Sequence, residues 1–219
     1  DLDHAMILIE ATVAAARVPV TLKMRLGWDH DSINAPELAR RAEAAGVQMI
    51  TVHGRTRCQF YGGRANWAAI RAVRDAIRIP LIANGDGTSA ADARRMLEAS
   101  GADGVMIGRS AYGRPWWPGV IANQLDPGSG VDEPSLDAEM AILADHHQQM
   151  LVTYGAELGN KTARKHIGWA IMRLEGRGQL SPGECAVWRQ RIVTSPRKST
   201  LLRSICQPQV TAHPVQAGI

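Results

Sequence analysis

Four short apolar runs in the first half of this 219-residue chain each end in polar residues, and no other feature narrows the possible folds as much. The runs are residues 20–25 (VTLKMR), 49–55 (MITVHGR), 80–86 (PLIANGD) and 104–109 (GVMIGR). Their spacing of roughly 25–30 residues leaves room for a helix between strands, as a parallel βα repeat requires and a hairpin does not. Their density of Val, Ile, Leu and Met suits strands buried on both faces. In an α/β barrel the carboxyl ends of the strands carry the chemistry, and here those ends hold Lys, His, Asn, Asp and Arg. An eightfold barrel takes about 250 residues, so four units followed by a different segment predict only part of one.

The intervening segments have helical spacing. Ala5, Met6, Ile9, Val13 and Ala16 precede Pro19, and Asn34 with Glu37 three residues on predicts a capped start for the next helix. A further helix is expected from Asn66 or Trp67 to Ile77, and Ser89 with Asp92 forms a capping-box pattern before another. Residues 126–134 (DPGSGVDEP) exclude a regular element. Beyond them the pattern is helical: one helix through Leu136, Leu143, Met150 and Tyr154, and a second through Ile167, Ile171 and Leu174. A third opens at Ser181, Pro182 and Glu184, and a fourth starts at Ser195 and Pro196 and ends near Cys206. The expected organisation is a half-barrel over 1–125, a linker over 126–135, a helical domain over 136–206 and a frayed tail over 207–219.

Charge is uneven. The formal net charge is +4, yet residues 125–155 hold six acids and no Lys or Arg, whereas residues 156–219 hold ten Lys and Arg against three acids. Such asymmetry argues for an anionic partner of the last segment. Lys161, Arg164 and Lys165 share one helix face, with His166 and Trp169 beside them and Arg173, Arg177, Arg189, Arg191, Arg197, Lys198 and Arg203 further along. A phosphate backbone fits this pattern, and so does a solvated helix. Cys58, Cys185 and Cys206 form no CxxC pair, which points away from a disulfide scaffold or zinc site and toward a reducing cytoplasm. His146 and His147 are adjacent, so they cannot share a helix face as metal ligands, and they are expected at a polar surface. No metal site is expected.

The strand ends supply the candidate site. Lys23 and Arg25 are two apart and share a strand face, where a cation stabilises an anionic group or developing oxyanion; a salt bridge is the alternative. His53, Gly54 and Arg55 offer a proton carrier, a bare backbone and a guanidinium fork, although a structural histidine is equally open. Asn84, Gly85 and Asp86, with Gly108 and Arg109, close the last two strands, where many barrels bind phosphate. Asp86 would repel a phosphate, which suits orienting amides or binding hydroxyls better. A structural turn remains the alternative for that tripeptide.

Taken together, VTLKMRLGWD, ITVHGRTRCQFYGG, IPLIANGD, GADGVMIGRSAYGRPW and ARKHIGW closely resemble the tRNA-dihydrouridine synthase family, particularly its DusB-like branch, over about residues 8–190. The resemblance implies an FMN-binding (β/α)8 barrel followed by a helical domain, with tRNA across both and NADPH as reductant. By position it implies flavin contacts for Lys23 and His53, a ribityl and phosphate lining from Asn84, Gly85 and Asp86, and a phosphate site at Gly108 and Arg109. Arg25 and Arg55 would lie near the substrate cavity, and Arg164, Lys165 and His166 would help hold RNA, with Lys161 joining them on the charge pattern alone. The family's opening flavin segment and its proton-donating cysteine have no match, and Cys58 lies in the wrong loop. The chain is therefore expected to represent the last four βα units and to be inactive alone. It is also expected to pair through its open edges with the missing half-barrel or with itself. A small-molecule FMN oxidoreductase and a non-catalytic RNA-binding remnant are the alternatives.

Overall fold

The structure, a computed structural model, describes residues 1–195 and 198–205. Contacts divide it into two compact units, one of Asp1–Ala111 with Trp116–Val131, the other of Tyr112–Pro115 with the described residues from Asp132 onward.

In the first unit the elements run α1 (Leu2–Ala15), β1 (Thr21–Arg25), α2 (Ala35–Ala44), β2 (Met49–His53), α3 (Arg71–Ala76), β3 (Leu81–Asn84), α4 (Ala90–Ser100), β4 (Gly104–Met106) and α5 (Trp117–Leu125). The four strands form one parallel sheet in the order β1-β2-β3-β4, so β1 and β4 each pair on one side only. This is a partial β/α barrel, followed in the second unit by an all-α segment. The central strands explain the apolar runs: Ile50, Val52, Leu81 and Ala83 are fully buried. Ala35, Ala39 and Ala42 of α2 and Val73 of α3 join them in one core, the alanines allowing the helix backbone close to the sheet.

Helix starts differ in detail from the sequence patterns. Asn34 stands at the cap of α2 without a side-chain bond, and Glu37 instead pairs with Arg40 and Arg41. The helix expected from residue 66 begins as a 3-10 turn (Ala68–Ile70), with Asn66 Oδ1 accepting from the Ala69 amide at 3.0 Å. At α4 only half of the expected box forms. Ser89 Oγ accepts from the Asp92 amide at 3.1 Å, while the Asp92 carboxylate accepts from the Thr88 amide and hydroxyl.

The second unit comprises α6 (Leu136–Gly176), α7 (Pro182–Thr194) and α8 (Lys198–Ser204). Within α6, Gly155 has φ 75° and ψ 172°, a region open essentially to glycine alone. The chain turns back there, which accounts for the two separate helical patterns in the sequence. The capping box of α7 is complete: the Glu184 amide donates to Ser181 Oγ, and the Ser181 amide donates to the Glu184 carboxylate. Leu143, Ile167, Ile171, Leu174, Trp188 and Leu202 form its core.

One expectation is corrected here. His147 is not at a polar surface but buried, because it continues the stripe of Leu143 and Met150. Asn160 donates to the Ala156 carbonyl, so its Oδ1 accepts from His147 Nε2 at 3.1 Å, and Ser199 Oγ lies 2.9 Å from Nδ1. His146 is half-buried, edge-on to His166 with ring centroids 4.9 Å apart. Pro196, Arg197, Cys206 and the tail over 207–219 lie outside the described residues.

Candidate active site

Register across the parallel sheet places Arg25, His53, Asn84 and Met106 in one row, each opposite the next. Residues in register on parallel strands point to the same face, about 4.8 Å apart from strand to strand. Lys23 stands two residues back on β1, on that same face. The strands end at this row, so Gly85, Asp86, Gly108 and Arg109 follow in the loops rather than on the strands themselves. Together they line a cavity of about 500 Å³ with Tyr61, Gly87, Thr88 and Ser110.

Arg55 organises the floor. Its side chain is 2% exposed, and five bonds occupy the guanidinium. Nε donates to the Gly62 carbonyl, Nη2 to the Gly63 carbonyl at 2.6 Å, and Nη1 and Nη2 grip the two Asp86 oxygens at 2.9 and 2.7 Å. The fifth bond runs from Nη1 to His53 Nε2 at 3.2 Å. A guanidinium has five N–H donors and no acceptor, so none is left for RNA. Arg55, expected near the substrate cavity, holds the loop and Asp86 in place.

The same bond settles the state of His53. Nε2 must accept, which puts the proton on Nδ1. Burial pushes its pKa down to about 4, with Arg25, Arg55 and Lys23 adding charge repulsion. The ring is thus neutral at ordinary pH and offers one N–H. Gly85 permits this placement, since a Cβ there would come within 2.8 Å of His53 Cδ2.

Asp86 takes a left-handed backbone with φ 57°. Burial alone would raise its pKa, but hydrogen bonds from Arg55 and from the Ala65 amide, at 2.8 Å, outweigh that and hold the carboxyl below the usual range. Arg109 Nη2 reaches it at 3.5 Å while the rest of Arg109 stays half exposed. Asn84 Nδ2 donates to the Met106 carbonyl at 2.9 Å, fixing its amide at the pocket wall. A Cβ on Gly108 would meet open space, so the backbone there is bare to the cavity.

Arg25 Nη1 donates to the Thr56 and Phe60 carbonyls at 2.7 and 2.8 Å. It also stands 5.7 Å from the Tyr61 ring centroid, with Arg109 at 4.7 Å from that ring. Tyr61, Thr88 and Ser110 escaped the sequence reading. For Tyr61 the available signal was an aromatic pair set directly before two glycines, eight residues beyond His53.

In the second unit Lys161, Arg164 and Lys165 are exposed and His166 half-buried, opposite Ala163, Ile167 and Ala170 in the core. Trp169 is not open for stacking on the face that Tyr112 covers, with centroids 3.9 Å apart. Among the described residues no group of His, Cys, Asp and Glu is placed to hold a metal, and no helix is long and apolar enough to cross a membrane.

Residues 1–190 match the family described as dihydrouridine synthase (Dus). The chain belongs to this family. It is 57% identical over 173 residues to a probable tRNA-dihydrouridine synthase of Rhizobium leguminosarum bv. phaseoli, covering 79% of this chain and 52% of the relative. It is 55% identical over 167 residues to that of Rhodobacter capsulatus, covering 76% and 52%. Against the tRNA-dihydrouridine synthase B of Pseudomonas aeruginosa it is 40% identical over 199 residues, covering 86% and 60%. The chain thus spans about half the length of the curated relatives it matches.

Proposed function

We propose that this chain is the flavin-holding half of a cytoplasmic tRNA-dihydrouridine synthase, with FMN in the cavity, NADPH as reductant and a uridine of tRNA as substrate. Charge supports the reading best. Lys23, Arg25 and Arg109 converge on one cavity whose only acid, Asp86, is already tied to Arg55. Such a site favours an anionic ligand. Its volume falls within the range of about 300–1,000 Å³ usual for cofactor pockets, and the bare backbone at Gly108 beside Arg109 suits a phosphate.

The family resemblance then distributes the cofactor. Lys23 and His53 would lie along the ring system, Asn84, Gly85 and Asp86 along the ribityl chain, and Gly108 and Arg109 at the phosphate. When bound and reduced by NADPH, flavin would supply the hydride that, with one proton, saturates the uracil ring. Lys23 would hold positive charge against the ring, and neutral His53 would donate one hydrogen bond without adding charge. Arg25, braced by two carbonyls, would keep a cation at the mouth where an RNA strand enters. The exposed Lys161, Arg164 and Lys165, with His166, would hold the tRNA backbone.

Neither described cysteine lines the cavity: Cys58 is exposed in a loop and Cys185 is buried in the second unit. The cysteine proton donor that the family resemblance implies would then come from a segment paired with the open edges of β1 or β4, whether the other half-barrel or a second copy. The test is reduction of uridine in tRNA lacking dihydrouridine, read by mass spectrometry with NADPH and FMN supplied. Turnover by the protein joined to the family's other half-barrel, and none by this chain alone, is the expected pattern. Turnover on small enones with none on tRNA would point to a small-molecule oxidoreductase, and turnover by this chain alone would refute the division of labour.

A further inference from the structure

At the rim of the cavity three aromatic side chains stand in water beside arginines. Trp28, Phe60 and Tyr61 are 61%, 58% and 64% exposed. Arg57 lies between the first two, its guanidinium 4.4 Å from the Phe60 ring centroid and 5.5 Å from that of Trp28. Exposed aromatic rings cost solvation, and three in adjacent loops of one surface need a reason.

The second observation is that this surface is held rigid. Arg25 grips the loop through the Thr56 and Phe60 carbonyls, and Arg55 grips it through the Gly62 and Gly63 carbonyls. The amides of Arg57 and Cys58 donate to the carbonyls of Gly27 and Trp28 at 2.9 and 2.8 Å, binding the two loops together. Phe60 has φ 49°, and among the described residues only it and Asp86 combine a side chain with positive φ. A bulky residue adopts that conformation at a cost, and such strain concentrates at functional positions. Here the strain presents a ring to solvent instead of burying it.

We infer that Trp28, Arg57 and Phe60 form a stacking platform for an unpaired RNA nucleotide next to the one that enters the cavity. The inference rests on the reading of the cavity as a site for a nucleotide of RNA. Flat rings interleaved with a guanidinium are the chemistry that holds single-stranded nucleic acid, because every base has a face to stack and every linkage a phosphate. Asp29 and Asp31 in the same loop weigh against a ligand that would lay several phosphates there. They favour one base on the rings with one phosphate near Arg57. A base lifted from its stack leaves its neighbours unstacked too, and a platform beside the cavity compensates for that loss.

The experiment measures binding of a fluorescent single-stranded uridine-containing oligoribonucleotide to this chain by anisotropy. It compares the wild type with Trp28→Ala, Trp28→Phe, Phe60→Ala and Phe60→Gly, and records FMN uptake and thermal unfolding for each. The expected result is at least about fivefold weaker RNA binding for the alanine variants, recovery in Trp28→Phe, and unchanged FMN uptake. Phe60→Gly relieves the positive φ, so it should unfold no earlier than wild type while binding RNA as poorly as Phe60→Ala. RNA affinity equal in all five proteins, or no RNA binding by the wild type, would overturn the platform without touching the flavin pocket. Loss of NADPH binding in place of RNA binding would assign the surface to the reductant and overturn it as well.

Discussion

At the scale of single residues, the site is organised by one buried arginine. Arg55 ties Asp86, His53 and the carbonyls of Gly62 and Gly63 together. Removing Arg55 takes five bonds from the loop and leaves Asp86, 29% exposed, with only the Ala65 amide and Arg109, which costs about 2–3 kcal/mol. Arg55→Ala should lose that much in denaturant unfolding; a loss below about 1 kcal/mol would mean the pair is no better than a surface one. The state of His53 gives a pH prediction. Its pKa falls from 6.5 unfolded to about 4 folded, so between these values the unfolded chain binds more protons. This group therefore lowers stability as pH falls from 6.5 toward 4 and contributes no slope above 6.5. Unfolding measured across that window should show a shallower slope in His53→Asn than in wild type. The types of these residues could be read from the sequence, since charge at strand ends is costly without a purpose. The division between them could not: Arg25 and Arg55 look alike in the chain, and only tertiary bonds separate a cation at the mouth from one locked in the floor.

At the scale of elements, the strands and most helices were legible because buried parallel strands and amphipathic helices impose strong periods. The box at Ser181 formed as written because Ser181 and Glu184 need only each other. The boxes at Asn34 and Ser89 did not, because Glu37 and Asp92 met competing partners in Arg40, Arg41 and Thr88. His147 was misplaced for a related reason: its partners Asn160 and Ser199 are distant in sequence and arrive only through tertiary folding. The turn inside α6 depends on Gly155. A side chain there is strained by about 1–3 kcal/mol, so Gly155→Ala should lower the unfolding temperature of the helical unit by several degrees, read by circular dichroism. An unchanged temperature would show that the turn does not need the freedom of a glycine.

At the scale of the whole molecule, charge carries the account. Residues 156–219 carry ten Lys and Arg against three acids, and on the proposed reading the exposed Lys161, Arg164 and Lys165 would offer three phosphate contacts to tRNA. Each contact contributes about 0.7–0.9 to the slope of log affinity against log salt. Replacing all three by Ala should flatten the tRNA-binding slope by about 2, and an unaltered slope would move the RNA elsewhere. The cavity makes the sharper demand, because the proposed enzymatic reading needs an anionic flavin among Lys23, Asn84 and Arg109. The most direct test is titration of this chain with FMN, followed by flavin absorbance and fluorescence, alongside Lys23→Ala, Asn84→Ala and Arg109→Ala. Saturable binding at one site, weakened in each variant and most in Arg109→Ala, is the predicted result. No saturable binding, or binding that none of the three substitutions alters, would contradict it.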